Sequence, residues 1–191
     1  MERHIKRLNP LFQAGLEFQK FFRNKKRPFC CIGGLAVIRW GEIRITQDID
    51  LCLHCGFGNE EKTVSLLLDA FDARIDDPVE FAVKNRVVLL SASNGVSADI
   101  SLSGLPFEET MIQRASPFNF HPKCSLITCS AEDLIILKAF ADRNKDWSDV
   151  EGVISRYREK LDREYIIMNL APLCELKESP EIMEHLKRLF Q

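Results

Sequence analysis

Residues 31–53, CIGGLAVIRWGEIRITQDIDLCL, carry the pattern that decides the fold. A short apolar run from Phe29 to Ile32 ends in the pair Gly33–Gly34, and a helix-like segment follows. The next extended run contains Asp48 and Asp50, which share one face of a strand, roughly 6–7 Å apart, because side chains alternate between the faces. The stretch therefore predicts a strand, a helix that begins at glycine, and a second strand bearing two carboxylates.

This pattern suits metal and phosphate chemistry side by side. Asp48 and Asp50 would hold a hard cation, and the N–H groups and positive dipole end of a helix that starts at a glycine pair attract phosphate. Asp99, which follows the hairpin signal Asn94–Gly95, is the natural third carboxylate. Three carboxylates repel one another, so the site calls for a divalent cation, with Mg2+ the default and Mn2+ an alternative. Taken alone, an aspartate pair is also typical of a solvated strand edge, and a glycine pair of a bend.

The chain as a whole predicts an α+β fold: a mixed β-sheet flanked by helices, followed by a C-terminal helical region. We expect an α/β core with a basic N-terminal helix over residues 1–122, and a helical region over residues 123–191 that packs against it. Besides the aspartate strand, the periodicity predicts helices over residues 11–22, 34–40, 62–71, 131–142, 147–158, 163–169 and 180–189, and extended segments over residues 29–32, 81–83, 87–91 and 96–102.

Composition narrows the class of protein. The 191 residues are 46% hydrophobic and 28% charged, which is ordinary for one or two globular units. No apolar run approaches the roughly 18 residues of a membrane span, and the start MERHIKRLNP lacks a secretory pattern, so we expect a cytoplasmic protein with no membrane partner. Seven scattered cysteines indicate reduced thiols, with a zinc site at Cys52, Cys55, Cys124 and Cys129 as the weaker alternative.

The N-terminal segment is strongly basic although the net charge is only −2. Its first 27 residues contain Arg3, Lys6, Arg7, Lys20, Arg23, Lys25, Lys26 and Arg27, against Glu2 and Glu17. A basic segment next to an acidic metal site would guide a polyanion such as RNA. A solvated helix face explains the same charges.

The string GGLAVIRWGEIRITQDIDL, with Arg44 and Thr46 ahead of its aspartates, resembles the signature of the nucleotidyltransferase superfamily and, within it, the AbiEii/AbiGii toxin-type branch. A second segment, from Glu132 to Asp149, is similar to that branch's helix with an aspartate and a lysine, followed by an R-x-x-R/K-D-x-x-D element. The chain departs from the branch at Gln47, where small hydroxyl or charged residues are common, and at Lys145, where arginine is frequent.

The resemblance implies a minimal nucleotidyltransferase fold that uses magnesium to move a nucleoside monophosphate from an NTP to an RNA end, for example of tRNA, or to a protein hydroxyl. Many such proteins are toxins of toxin–antitoxin or phage-defence systems, which implies a cognate antitoxin. Asp48 and Asp50 would be catalytic metal ligands, Asp99 a metal ligand or general base, and Lys138 a catalytic contact to the triphosphate. The expected nucleotide-binding residues are Gly33, Gly34, Thr46, Lys138, Arg143, Asp146 and Asp149.

Alternatives stay open at both levels. Ser130-x-x-Asp133 and Asp146-x-x-Asp149 are also typical of helix caps, and Lys138 would pair with Asp142 on a helix surface. For the whole chain, the alternatives are a catalytically silent nucleotide- or RNA-binding module on the same fold, and a small-molecule nucleotidyltransferase of the kind that modifies antibiotics.

Overall fold

A computed structural model describes residues 8–191, which form seven strands and nine α-helices. The strands are β1 (Phe29–Cys31), β2 (Asp48–His54), β3 (Asp72–Ala73), β4 (Val87–Ser91), β5 (Ser97–Ser103), β6 (Ser116–His121) and β7 (Cys124–Thr128). The helices are α1 (Pro10–Asn24), α2 (Gly33–Trp40), α3 (Glu60–Leu68), α4 (Pro78–Asn85), α5 (Pro106–Arg114), α6 (Ala131–Ala141), α7 (Asn144–Tyr157), α8 (Arg163–Lys177) and α9 (Glu181–Leu189).

The strands form one mixed sheet in the order β3-β4-β5-β2-β1-β7-β6. The pairs β2–β5 and β1–β7 are parallel, and the remaining neighbours are antiparallel. The predicted hairpin at Asn94–Gly95 is confirmed, because it joins β4 to the antiparallel β5 and the Asn94 side chain accepts a hydrogen bond from the Val96 N–H at 3.2 Å. The α+β fold class predicted from the sequence is confirmed.

The alternation along β2 separates the core from the polar side chains. Ile49, Leu51 and Leu53 are fully buried against α1, α3 and α4 on one face of the sheet. Asp48 and Asp50 point to the opposite face, which α5–α9 cover, while α2 contributes to both cores. The aspartates therefore end up at the rim of the second core, where β2 begins.

Two elements differ from the sequence-based expectation. The segment 81–83, predicted as extended, lies inside α4, which has Pro78 in its first turn and leaves Val83 exposed. The apolar–polar alternation there belongs to a helix so short that two periods fit it equally well. The boundary expected between residues 122 and 123 falls in the turn of the β6–β7 hairpin, and β7 belongs to the sheet rather than to the helical region.

The helical region begins at a capped helix. The Ser130 hydroxyl accepts a hydrogen bond from the Asp133 N–H at 3.1 Å, so the predicted cap at this position is confirmed. Asp133 is fully buried and accepts a hydrogen bond from the Tyr165 hydroxyl at 2.7 Å, which ties α6 to α8. The predicted cap at Asp146 is wrong, because α7 begins three residues earlier, after Arg143.

The seven cysteines are free and buried. Burial raises the pKa of the Cys31 thiol to about 12 and that of Cys124 to about 11, so these groups stay protonated. Among the helices of residues 8–191, none combines the length and the apolar character that crossing a membrane requires.

Candidate active site

A cavity of about 540 Å3 opens where β1 ends and β2 begins. Its wall brings together most of the residues singled out from the sequence: Gly33, Gly34, Thr46, Asp48, Asp50, Asp99, Lys138 and Arg143. An apolar side is supplied by Leu134, Leu137 and Ala141 of α6, and Arg44, Ile45 and Lys145 complete the rim. The sheet and the helical region thus share one cleft.

The three aspartates lie on one face of the parallel pair β2–β5. Asp50 and Asp99 are direct partners in the register, and Asp48 lies two residues before Asp50 on the same face. Asp48 accepts a hydrogen bond from the Thr46 hydroxyl at 3.0 Å, while Asp99 forms an ion pair with Arg74, just beyond β3. The sequence placed the three carboxylates together correctly, but it gave no sign of Arg74, which no motif surrounds.

The glycine pair is shaped by its neighbours on β2. Gly33 has a positive φ of 53°, and a methyl group there would overlap the Asp50 carboxylate. A methyl group on Gly34 would overlap the Thr46 side chain. The Gly34 N–H donates to Asp50 Oδ2 at 3.2 Å, so this carboxylate caps the amino end of α2 and fixes that end against β2.

The electrostatics of Asp50 show what the cavity lacks. Burial raises its pKa, the Gly34 N–H lowers it, and the negative charges of Asp48 and Asp99 raise it further, with a net upward shift. The carboxylate is therefore less stable in its charged form here than in water. A cation between the aspartates would reverse that balance.

The donor set fits a hard divalent cation, because three carboxylates line one wall of the cavity. Over residues 8–191, however, no three His, Cys, Asp or Glu side chains converge closely enough to form a ready-made metal site. Asp99 directs one oxygen to Arg74, and Asp48 directs one to Thr46. The pair Asp48 and Asp50 is thus the natural first holder of an ion, with Asp99 joining from the neighbouring strand.

Lys138 is buried in a charge network behind the cavity. Its Nζ lies 2.7 Å from Asp146 Oδ1 and 2.8 Å from Asp149 Oδ2. Arg143 also binds Asp146, and Arg44 Nε lies 3.3 Å from Asp149 Oδ1. The network joins α6, α7 and the segment 41–47, and its three cations against two anions leave a net positive charge facing the aspartates.

The network holds its members in their charged forms. Burial alone would raise the pKa of Asp146, but hydrogen bonds from Arg143 and Lys138 lower it overall. The same bond from Asp146 raises the pKa of Arg143. The predicted surface pair between Lys138 and Asp142 is wrong, because Lys138 binds two other aspartates and Asp142 accepts from Trp147 Nε1 at 2.8 Å.

The basic residues that precede β1 do not line this cavity. Arg27 lies before β1 and Gly33 after it, so the basic cluster and the cavity are at opposite ends of that strand. The expectation that the basic segment sits beside the acidic site is therefore wrong for residues 20–27, because β1 is interposed. Arg3, Lys6 and Arg7 lie outside the described residues.

Comparisons with known proteins were consistent in fold. Residues 9–168 match the family model described as "Nucleotidyltransferase of unknown function (DUF6036)". Functionally curated proteins yield no match.

Among solved structures, an antigenic nucleotidyltransferase-like protein from Paracoccidioides brasiliensis aligns with a TM-score of 0.51 and 16% identity, over 93% of this chain and 92% of that one. The lincosamide antibiotic adenylyltransferase LnuA aligns with a TM-score of 0.50 and 15% identity, over 75% and 96%. The antibiotic-resistance factor ANT(2'')-Ia aligns with a TM-score of 0.55 and 13% identity, over 91% and 96%. At these identities the likeness establishes a shared fold.

Proposed function

The chain belongs to the nucleotidyltransferase family of unknown function DUF6036, and we propose that it is a magnesium-dependent enzyme that moves a nucleoside monophosphate from an NTP to an RNA end or a protein hydroxyl. The observation that carries the proposal is the convergence of Asp48, Asp50 and Asp99 on one wall of the cavity, against the glycine-led end of α2. A silent binding module would not need all three carboxylates.

The cavity offers a position for each part of the triphosphate. Asp48 and Asp50 would hold the cation, which when bound neutralises phosphate charge and lowers the pKa of the attacking hydroxyl. The backbone at Gly33 and Gly34 lets phosphates approach closely, because no side chain covers it. Arg143, whose side chain is 60% exposed, reaches from the rim toward phosphate oxygens.

Asp99 is the group best placed to accept the proton. Its Oδ1 faces Arg74, which leaves Oδ2 for the acceptor hydroxyl. The hydroxyl oxygen attacks the α-phosphorus, the bond to the oxygen bridging to the β-phosphate breaks, and pyrophosphate leaves, while the proton passes to Asp99. Lys138 acts from behind this wall: its charge favours phosphate, and its two aspartate partners fix α6 against α7.

The acceptor divides the remaining possibilities. The resemblance to the AbiEii-type branch favours a macromolecular acceptor such as tRNA or protein, and with it a toxin role, a cognate antitoxin and a cytoplasmic setting; these stay predictions. A small-molecule acceptor is the second candidate, because the adenylyltransferases LnuA and ANT(2'')-Ia share the fold over most of this chain.

The test is transfer of label from each α-labelled NTP, with magnesium, to whole-cell RNA, lysate protein or a panel of aminoglycosides and lincosamides. We expect Asp48→Asn/Asp50→Asn to lose transfer by about a hundredfold or more, as removal of groups that stabilise transition-state charge does. The variant should stay folded, because an asparagine at position 50 can still accept from the Gly34 N–H. Asp69→Asn, an exposed carboxyl at the end of α3, is the matched control and should transfer normally. Undiminished transfer by the double variant would contradict the proposal.

A further inference from the structure

We propose that a second cavity, at the carboxyl end of α1, binds the phosphate backbone of RNA and so marks RNA as the acceptor class. The inference rests on the proposed nucleotidyl transfer for its functional meaning. The cavity, here called the basic pocket, has a volume of about 300 Å3. Its rim carries Arg23, Lys26 and Arg27, and its apolar floor includes Pro28, Ile112 and Ile127.

The arginines of the basic pocket are unlike most others in the chain. Residues 8–191 contain twelve arginines, and nine of them use their side chains on protein partners: Arg39, Arg44, Arg74, Arg86, Arg114, Arg143, Arg156, Arg158 and Arg163. The three without such a bond to another described residue are Arg23, Arg27 and Arg188. Two guanidinium groups that the fold does not use therefore lie together at one cavity.

The charge of this region is uncompensated locally. Residues 18–28 contain five cations, Lys20, Arg23, Lys25, Lys26 and Arg27, and no acidic residue, in a chain whose net charge is −2. None of the five forms an ion pair with a carboxylate of residues 8–191, and Lys25 instead lies over the Phe21 ring at 5.8 Å. Such a cluster attracts a polyanion by charge alone.

Lys26 adds an observation that helix structure does not account for. It follows α1 with a φ of 53°, the left-handed conformation in which glycine is favoured at the end of a helix. Three other described residues other than glycine have a positive φ. Arg86 and Asp142 use their side chains on the protein, whereas Lys26 and Glu178 make no side-chain hydrogen bond within the described chain. A lysine kept at an unfavourable backbone position, on the rim of a basic cavity, points to a ligand for its ammonium group.

The distance between the two sites fits an RNA that spans them. From Arg27 to Gly33 the chain runs along β1 for six residues, or about 20 Å at the rise of a strand. A nucleic-acid end held in the active-site cavity would present its backbone to the basic pocket roughly six base steps away, at about 3.4 Å per step. The apolar floor offers contact to a ribose or base face between the cations, which a purely ionic surface for acidic protein would not need.

The test measures binding without NTP, so it does not depend on catalysis. Fluorescence anisotropy would follow a labelled RNA hairpin with a stem of about 12 base pairs, long enough to span both sites, between about 50 and 200 mM salt. We expect Arg23→Ala/Lys26→Gly/Arg27→Ala to lower the slope of log K against log salt by about 2, and affinity at 100 mM salt by about a hundredfold, since each lost phosphate contact removes about 0.7 from that slope.

The single change Lys26→Gly separates binding from stability. It should weaken RNA binding several-fold while leaving the thermal midpoint unchanged or higher, because glycine suits this backbone conformation better. Glu178→Gly is the matched control: it relieves the same conformation after α8 and should not alter RNA binding. Asp48→Asn/Asp50→Asn, which removes transfer, should bind the hairpin like the wild type.

Unchanged affinity and salt slope in the triple variant would overturn the basic pocket while leaving the proposed nucleotidyl transfer intact. Equal losses for a polyglutamate peptide or for phosphatidylserine vesicles would also overturn it, because they would show a general anion surface. Transfer assays give the last arm. The triple variant should raise KM for the long hairpin and leave it unchanged for a stem of about 3 base pairs, too short to reach the pocket.

Discussion

Gly33 is the residue on which the geometry of the cavity depends most. Its φ of 53° is strained for any other amino acid, and the space where a side chain would begin is filled by the Asp50 carboxylate. The sequence predicted that a glycine pair would begin this helix near phosphate. It did not show that the first glycine exists to admit an aspartate, because the approach of β2 to α2 is a tertiary contact between residues 17 positions apart in the chain.

A pair of glycine variants tests this reading. Gly33→Ala and Gly58→Ala both place a methyl group at a positive φ, which destabilises the fold by about 1–3 kcal/mol in each case. Gly58 has open space around it, so its variant should keep transfer activity, whereas Gly33→Ala displaces Asp50 and should lose it. Urea unfolding and labelled-NTP transfer measure the two effects separately. Loss of activity in both variants would show that backbone strain, rather than the position of Asp50, is responsible.

At the scale of elements, Asp149 joins the segment 41–47 to the helical region. It binds buried Lys138 at 2.8 Å and the half-exposed Arg44 at 3.3 Å. The same segment carries Thr46, whose hydroxyl contacts Asp48. Arg44 is thus a positioning residue: it holds a segment that has no regular secondary structure of its own, and through Thr46 it orients a proposed metal ligand.

Arg44→Met and Asp149→Asn should therefore fail in different ways. Arg44 is 39% exposed, so its loss should alter the free energy of unfolding by only about 0–1 kcal/mol, yet lower kcat by about tenfold because Asp48 loses its orientation. Asp149→Asn leaves Lys138 buried with one charged partner and should destabilise by about 3 kcal/mol. Denaturant unfolding and steady-state kinetics distinguish them, and equal destabilisation with unchanged kcat in Arg44→Met would argue against a positioning role.

The elements also show how far sequence patterns reach. The strand–helix–strand of residues 29–54, the Asn94–Gly95 hairpin and the helices after Ser130 follow from local periodicity and turn chemistry, and the model has them as predicted. The hairpin of β6 and β7 went unrecognised because Pro117 and alternating polar residues disguise an edge strand. The ion pair between Arg74 and Asp99 was out of reach, since it depends on the register of β3, β4 and β5.

At the scale of the whole molecule, the division at residue 122 is best regarded as one between parts of a single cooperative unit. β7 lies after the boundary, yet it occupies an interior position of the sheet between β1 and β6. Gln19 of α1 strengthens that position, because its side chain donates to Ser125 O at 2.8 Å and accepts from Ile127 N–H at 3.0 Å. The second core draws on both parts of the chain.

Single-tryptophan variants test this cooperativity. Trp40 ends α2 and donates to Cys129 O at 2.8 Å, whereas Trp147 lies in α7. In Trp147→Phe, fluorescence reports the junction between sheet and helices, and in Trp40→Phe it reports the helical region alone. Because one core spans both parts, we expect the urea midpoint from fluorescence to coincide with that from far-UV circular dichroism within each variant. An earlier fluorescence midpoint in Trp40→Phe would mean that the helices unfold separately, and the cleft they share with the sheet would then open before the sheet melts.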